Sequence, residues 1–188
     1  MSKYLLLIDF ISDLVGHDPM AGEIARRGVL ANAGAVLAKA REAGIPVGHV
    51  RVAFSAPDLP EAPARSPLFA RFKGLGVLQL SSPGVDFADQ VAPTEGEAVI
   101  LKHQVSPFWQ TALDAELEKH GVTELYLAGV STTLAISAAV REGHDRGLAV
   151  TVIADACAAH SLAAHEAELE AFGPLCTVSR AAEIDFAA

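Results

Sequence analysis

Leu125-Tyr126-Leu127-Ala128-Gly129-Val130-Ser131-Thr132-Thr133-Leu134-Ala135-Ile136-Ser137 decides the fold. It reads as a buried strand, a sharp turn and the first turn of a helix. Amides at a helix start have no partner inside the helix and point at whatever occupies the adjoining cleft. In α/β proteins such a junction carries a nucleophile or an oxyanion-binding turn, and here the nucleophile position holds Ala135. Working outward, the same alternation recurs. The apolar run Tyr4-Leu5-Leu6-Leu7-Ile8 fits a strand buried on both faces, and residues 46–53, 98–101, 125–128, 149–154 and 175–178 read as further strands. Helices are expected at 23–43, stopped by Gly44, at 111–120 with Thr111 as N-cap, at 133–146 and at 161–172. Strands alternating with helices imply βαβ units. The fold class is α/β, a doubly wound parallel sheet in three α/β/α layers, in one domain over residues 1–188. Residues 54–96, rich in Pro and Gly, form an excursion too long for a simple connection, so a functional loop or a small substructure is expected there.

Composition narrows the function. A formal net charge of −9 argues against nucleic acid or an anionic membrane as partner, and a hydrophobic fraction of 51% supplies a sizeable core. No apolar run approaches the roughly 18–20 residues that span a bilayer, and the short run ended by Asp9 does not read as a signal peptide, which would need a longer apolar stretch and a small-residue cleavage site. A cytoplasmic protein acting on a small molecule is the expectation. Two cysteines, Cys157 and Cys176, make no disulfide framework and read as buried reduced thiols.

In doubly wound sheets the active cleft lies beyond the carboxyl ends of the strands. Asp9, Lys102 with His103, the 51–55 stretch and the 129–135 turn all fall there. A carboxylate at the end of a buried strand is biased toward holding its proton, which suits Asp9 to acid–base work. Lys102 would hold Asp9 ionised or polarise a substrate oxygen. Phe54, Phe108 and His103 are substrate-binding candidates, although core packing is the commoner role for such Phe residues. A zinc or iron centre would want a histidine–carboxylate cluster, and none is present, so no metal and no cofactor are expected. Neither a phosphate-binding Gly-rich loop nor a Gly-x-Ser-x-Gly elbow occurs.

Taken in order, Leu6-Leu7-Ile8-Asp9-Phe10, Leu101-Lys102-His103-Gln104-Val105-Ser106-Pro107-Phe108, Gly129-Val130-Ser131-Thr132-Thr133 and Val152-Ile153-Ala154-Asp155-Ala156-Cys157-Ala158 resemble the isochorismatase-like hydrolase superfamily. The resemblance implies a Rossmann-like fold and a homo-oligomer, dimer or tetramer. It places Asp9 and Lys102 in a catalytic triad whose cysteine position is Ala135. It also implies a cis peptide before Ser131 and an oxyanion hole from the amides of Ser131 and Ala135. Two departures stand out: Ile11 replaces a usual Gln, and Ala135 cannot attack a carbonyl.

Three readings follow. The chain is an isochorismatase-type enzyme that cleaves an enol ether by acid catalysis from Asp9, needing no nucleophile. Alternatively it is a cysteine-type C–N amidohydrolase in which Ala135 is an engineered replacement. In the third reading it is an inactive homologue that binds a small metabolite.

Overall fold

The computed structural model describes residues 2–187. Its six strands are β1 (Lys3–Ile8), β2 (Val47–Val52), β3 (Ala98–Lys102), β4 (Glu124–Val130), β5 (Ala149–Ala158) and β6 (Thr177–Ser179). They form one sheet in the order β3-β2-β1-β4-β5-β6, and every pair is parallel. The strand order reverses between β1 and β4, which is the point where doubly wound sheets open a crevice at their carboxyl edge. The registers Ile8↔Val50, Ile8↔Gly129 and Val52↔Lys102 bring the ends of four strands to that one edge.

The helices are α1 (Ser12–Val15), α2 (Met20–Arg27), α3 (Val29–Glu42), α4 (Pro67–Leu75), α5 (Leu113–Lys119), α6 (Ser137–Asp145) and α7 (Leu162–Ala171). Side chains on β1 alternate between two cores. Leu5 and Leu7 pack with Val29, Ala33, Val36 and Leu37 of α3. Tyr4, Leu6 and Ile8 pack with Leu113, Leu117, Ala139 and Val140 of α5 and α6. The unbroken apolar run in β1 therefore reflects burial on both faces, with each such side chain contributing roughly 1.5–3 kcal/mol.

The expected elements differ from the observed ones where local geometry intervenes. The helix expected at 23–43 is two helices, because Gly28 takes a left-handed conformation (φ 64°) that ends α2 and redirects the chain into α3. The 54–96 excursion contains α4, whose start is marked by Ser66 accepting from the Phe69 amide and by Pro67. Strand β5 runs four residues beyond 154, so Cys157 lies within the sheet rather than in a turn. Thr111 accepts the Leu113 amide at 3.2 Å, while the helix boundary falls at Ala112. The helix expected from 133 begins as a wide turn, Thr132–Ile136, before α6.

Candidate active site

β1 delivers Asp9 to the sheet edge. Its backbone adopts a left-handed conformation (φ 59°), and its amide donates to the Val50 carbonyl at 2.9 Å. A non-glycine residue held there concentrates at functional sites, where surrounding contacts enforce it. β3 delivers Lys102, whose Nζ lies 2.7 Å from Asp9 Oδ2, with both side chains buried. The same ammonium donates to the carbonyls of Gln104 (3.1 Å) and Val105 (2.9 Å). Lysine has three donors, and these three acceptors take them all. Lys102 thus acts on Asp9 and has no donor left for a substrate oxygen.

Asp9 is the reverse case. Its Oδ1 is buried with no hydrogen-bond partner among the described residues. Burial pushes its carboxyl pKa up, Lys102 and the Val52 amide pull it down, and burial prevails. Asp9 therefore keeps its proton to higher pH than an ordinary carboxyl, as a general acid requires.

β4 delivers the turn. Gly129 has φ 152°, and a Cβ there would lie 2.3 Å from the Ile8 carbonyl oxygen, so only glycine permits β4 to run this close to β1. The Val130–Ser131 peptide that follows is cis. The Ser131 carbonyl accepts from both Leu134 and Ile136 amides at 3.1 Å, which sets the wide turn. Such π-type turns recur at functional sites. Ser131, Thr133, Leu134 and Ala135 all line a cavity of about 570 Å³ together with Asp9 and Lys102.

The structure thus gathers Asp9, Lys102, Ser131 and Ala135 around one cavity. It does not bring Phe54, Phe108 or His103 to the lining. Phe54 is fully buried and packs edge-on behind Phe69, which does line the cavity. Phe108 sits in the core beneath the Arg146 guanidinium, 4.2 Å from its ring centre. His103 donates from Nδ1 to the Ala53 carbonyl at 2.7 Å and tilts against Phe54. Cys157 is also absent from the lining: it is fully buried and its thiol is pushed up to about 12 by burial. Among the described residues no group of three or more His, Cys, Asp or Glu side chains forms a metal cluster.

Three contributors to the wall escaped the sequence reading. Helix α4 supplies Leu68, Phe69, Arg71, Phe72 and Leu75. Its Ser-Pro start at 66–67 was the available signal. The segment around α1 and α2 supplies Asp13, His17 and Asp18, and the end of β5 leads to His160. Asp13 and Asp18 are engaged by the protein itself: they accept the amides of Leu78 (2.7 Å) and Gly22 (3.0 Å). Arg71 makes no ion pair or hydrogen bond among the described residues.

A family model for the isochorismatase domain matches residues 3–183. The chain belongs to the isochorismatase family. Among its relatives, an uncharacterized isochorismatase family protein of Bacillus subtilis, YddQ, is 31% identical over 162 residues, 86% of this chain and 81% of the relative. A maleamate amidohydrolase of Pseudomonas putida is 28% identical over 171 residues, 88% of this chain and 76% of that one. An isochorismatase family protein of Desulfovibrio vulgaris has the same fold, with a TM-score of 0.85 at 26% identity over 96% of this chain and 95% of the other. In this isochorismatase-family chain the doubly wound sheet and the carboxyl-edge cavity are as expected from the strand-end motifs.

Proposed function

We propose that this protein is a hydrolase of a small carboxylate-bearing enol ether and works by acid catalysis from Asp9. The observation that carries the reading is the pairing of a buried, proton-retaining carboxyl with Ala135 in a cavity lined by no cysteine. Vinyl ether cleavage needs a proton donor and water, not a protein nucleophile. Asp9 donates its proton to the terminal vinyl carbon, and positive charge develops at the ether carbon. The Asp9 carboxylate left behind is stabilised by Lys102. Water adds to the cation, the resulting hemiketal expels the alcohol, and a ketone forms. The net proton balance is closed when the proton lost by the added water returns to Asp9. The Ser131 and Ala135 amides are hydrogen-bond donors at the cavity wall and suit an anionic substrate oxygen such as one of its carboxylate, away from the cationic ether centre. Arg71, left without a protein partner while Asp13 and Asp18 are occupied, suits a substrate carboxylate at the cavity wall.

The test is pyruvate release from isochorismate, beside an Asp9→Asn control. Release that requires Asp9 supports the reading, and no release from either protein rejects isochorismate as substrate. The amidohydrolase reading draws on the likeness to maleamate amidohydrolase. It is opposed by Ala135, whose methyl group cannot form an acyl-enzyme.

A further inference from the structure

Thr132 lies between two residues that line the cavity, Ser131 and Thr133, yet it does not line the cavity itself. It is fully buried, turned away from the cavity, and its Oγ1 lies 2.8 Å from Nδ1 of His165 on α7, itself 2% exposed. On the other side of that imidazole, Nε2 lies 2.9 Å from Nη2 of Arg27, the last residue of α2. Arg27 Nη2 also donates to the Ala154 carbonyl of β5 at 3.1 Å. A guanidinium can only donate, so Nε2 must carry the lone pair and Nδ1 the proton. The Nδ1–H therefore donates to Thr132 Oγ1. A protonated imidazole would lose its acceptor for Arg27 and face that cation directly. Burial and Arg27 push the His165 pKa down to about 4, which agrees with a neutral ring.

We propose that His165 is a positioning residue for the turn at 131–135, acting through the Thr132 hydroxyl, with Arg27 locking its tautomer. This chain of bonds fixes the turn from behind, on the side away from the cavity. What that turn does for a substrate rests on the acid-catalysed reading above, but the positioning itself does not. The geometry ties α2, β5, α7 and the turn through one imidazole. Displacing groups around a reacting centre by about 1 Å costs on the order of a hundredfold in rate, so loss of this anchor acts on turnover rather than on capture of substrate.

The first readout is imidazole nitrogen NMR on the wild-type protein. An Nδ1–H neutral ring from pH 8 down to about pH 5 supports the assignment, and an Nε2–H or cationic ring at neutral pH overturns it. The second compares Thr132→Val, which keeps shape but removes the acceptor, with Thr132→Ser, which keeps it. Exchange of the Leu134 and Ile136 amides, which donate to the Ser131 carbonyl and so define the turn, should rise about tenfold or more in Thr132→Val and stay near wild type in Thr132→Ser. Equal exchange in both variants overturns the proposal. His165→Phe is expected to behave as Thr132→Val, and the threonine pair keeps the test decisive if that variant does not fold. On a substrate that is turned over, kcat falls about tenfold to a hundredfold in Thr132→Val with KM changed by less than about threefold. Altered exchange together with turnover that survives Asp9→Asn rejects the acid-catalysed reading and leaves the positioning role standing.

Discussion

Lys102 Nζ and Asp9 Oδ2 lie 2.7 Å apart with both side chains withdrawn from water, and Lys102 spends its other two donors on carbonyls of its own loop. The pair is asymmetric: the cation is fully partnered, while one carboxyl oxygen is not. Removing either partner leaves an uncompensated buried group, which typically costs about 3–5 kcal/mol. Lys102→Met alone should therefore lower stability strongly, and Asp9→Leu with Lys102→Met together should recover much of the loss. Urea unfolding of the two single variants and the double variant measures the coupling. Additive losses would show that the pair is not energetically linked.

Asp9→Asn keeps the shape and removes the acid. Turnover of an enol ether should fall by about 10²–10⁴-fold, the usual worth of a general acid. Circular dichroism should show an unchanged fold. Full activity in Asp9→Asn would end the acid-catalysed mechanism.

The raised Asp9 pKa has a definite sign in pH experiments. A general acid works while protonated, so turnover should be high below the Asp9 pKa and fall as pH rises through it. Stability follows the same direction. Because the folded pKa lies above the unfolded one, Asp9's contribution is complete below the unfolded carboxyl value and is lost as pH rises through the folded value. A basic limb in the pH–rate profile that vanishes in no Asp9 variant would assign that limb to another group.

Glu97 behaves oppositely. Burial raises its pKa, but Arg41, the Thr94 amide and His49 outweigh burial and hold it at about 2. Its contribution, on the order of 2 kcal/mol, is present above the ordinary carboxyl value and disappears as pH falls toward 2. In Glu97→Gln the acid limb of the stability curve should flatten between about pH 5 and pH 2. An unchanged limb would place the acid sensitivity elsewhere.

Ala135→Cys would put a thiol on the cavity wall beside Asp9 and Lys102. That thiol should react with iodoacetamide near neutral pH, while native Cys157, buried and titrating near 12, should not. Mass spectrometry of peptides after brief labelling separates position 135 from buried Cys157 and from half-buried Cys176. Assay of the same variant on small amides tests how much of an amidohydrolase the frame retains.

Asp9, Lys102, Ser131 and Ala135 were legible because each follows an apolar strand run. In a parallel sheet the carboxyl ends meet at one edge whatever the intervening loops do. Phe54 and Phe108 were not separable from lining residues by type alone. Their places follow from contacts distant in sequence, with Phe69 and with Arg146. Helix α4 was hidden inside a Pro- and Gly-rich stretch with little periodic pattern, held in part by contacts distant in sequence such as the Asp13 carboxylate on the Leu78 amide just beyond it. His165 falls within the helix expected at 161–172, where nothing local marks it. Its partners Thr132 and Arg27 come from two other parts of the chain, and no local pattern joins them.

One side of the cavity wall, with Leu68, Phe69, Phe72, Leu75 and Val77, comes from α4 and its flank, a continuous stretch between β2 and β3. Asp9, Lys102 and the 131–135 turn come from strand ends rooted in the two cores. That stretch is separate in sequence from the β1, β3 and β4 termini, so under the proposed reaction the wall can change while Asp9, Lys102 and the turn stay in place. A library confined to residues 67–77 would vary one wall of the cavity over an unchanged Asp9–Lys102 pair, an economical route for descent with modification and for the protein engineer alike.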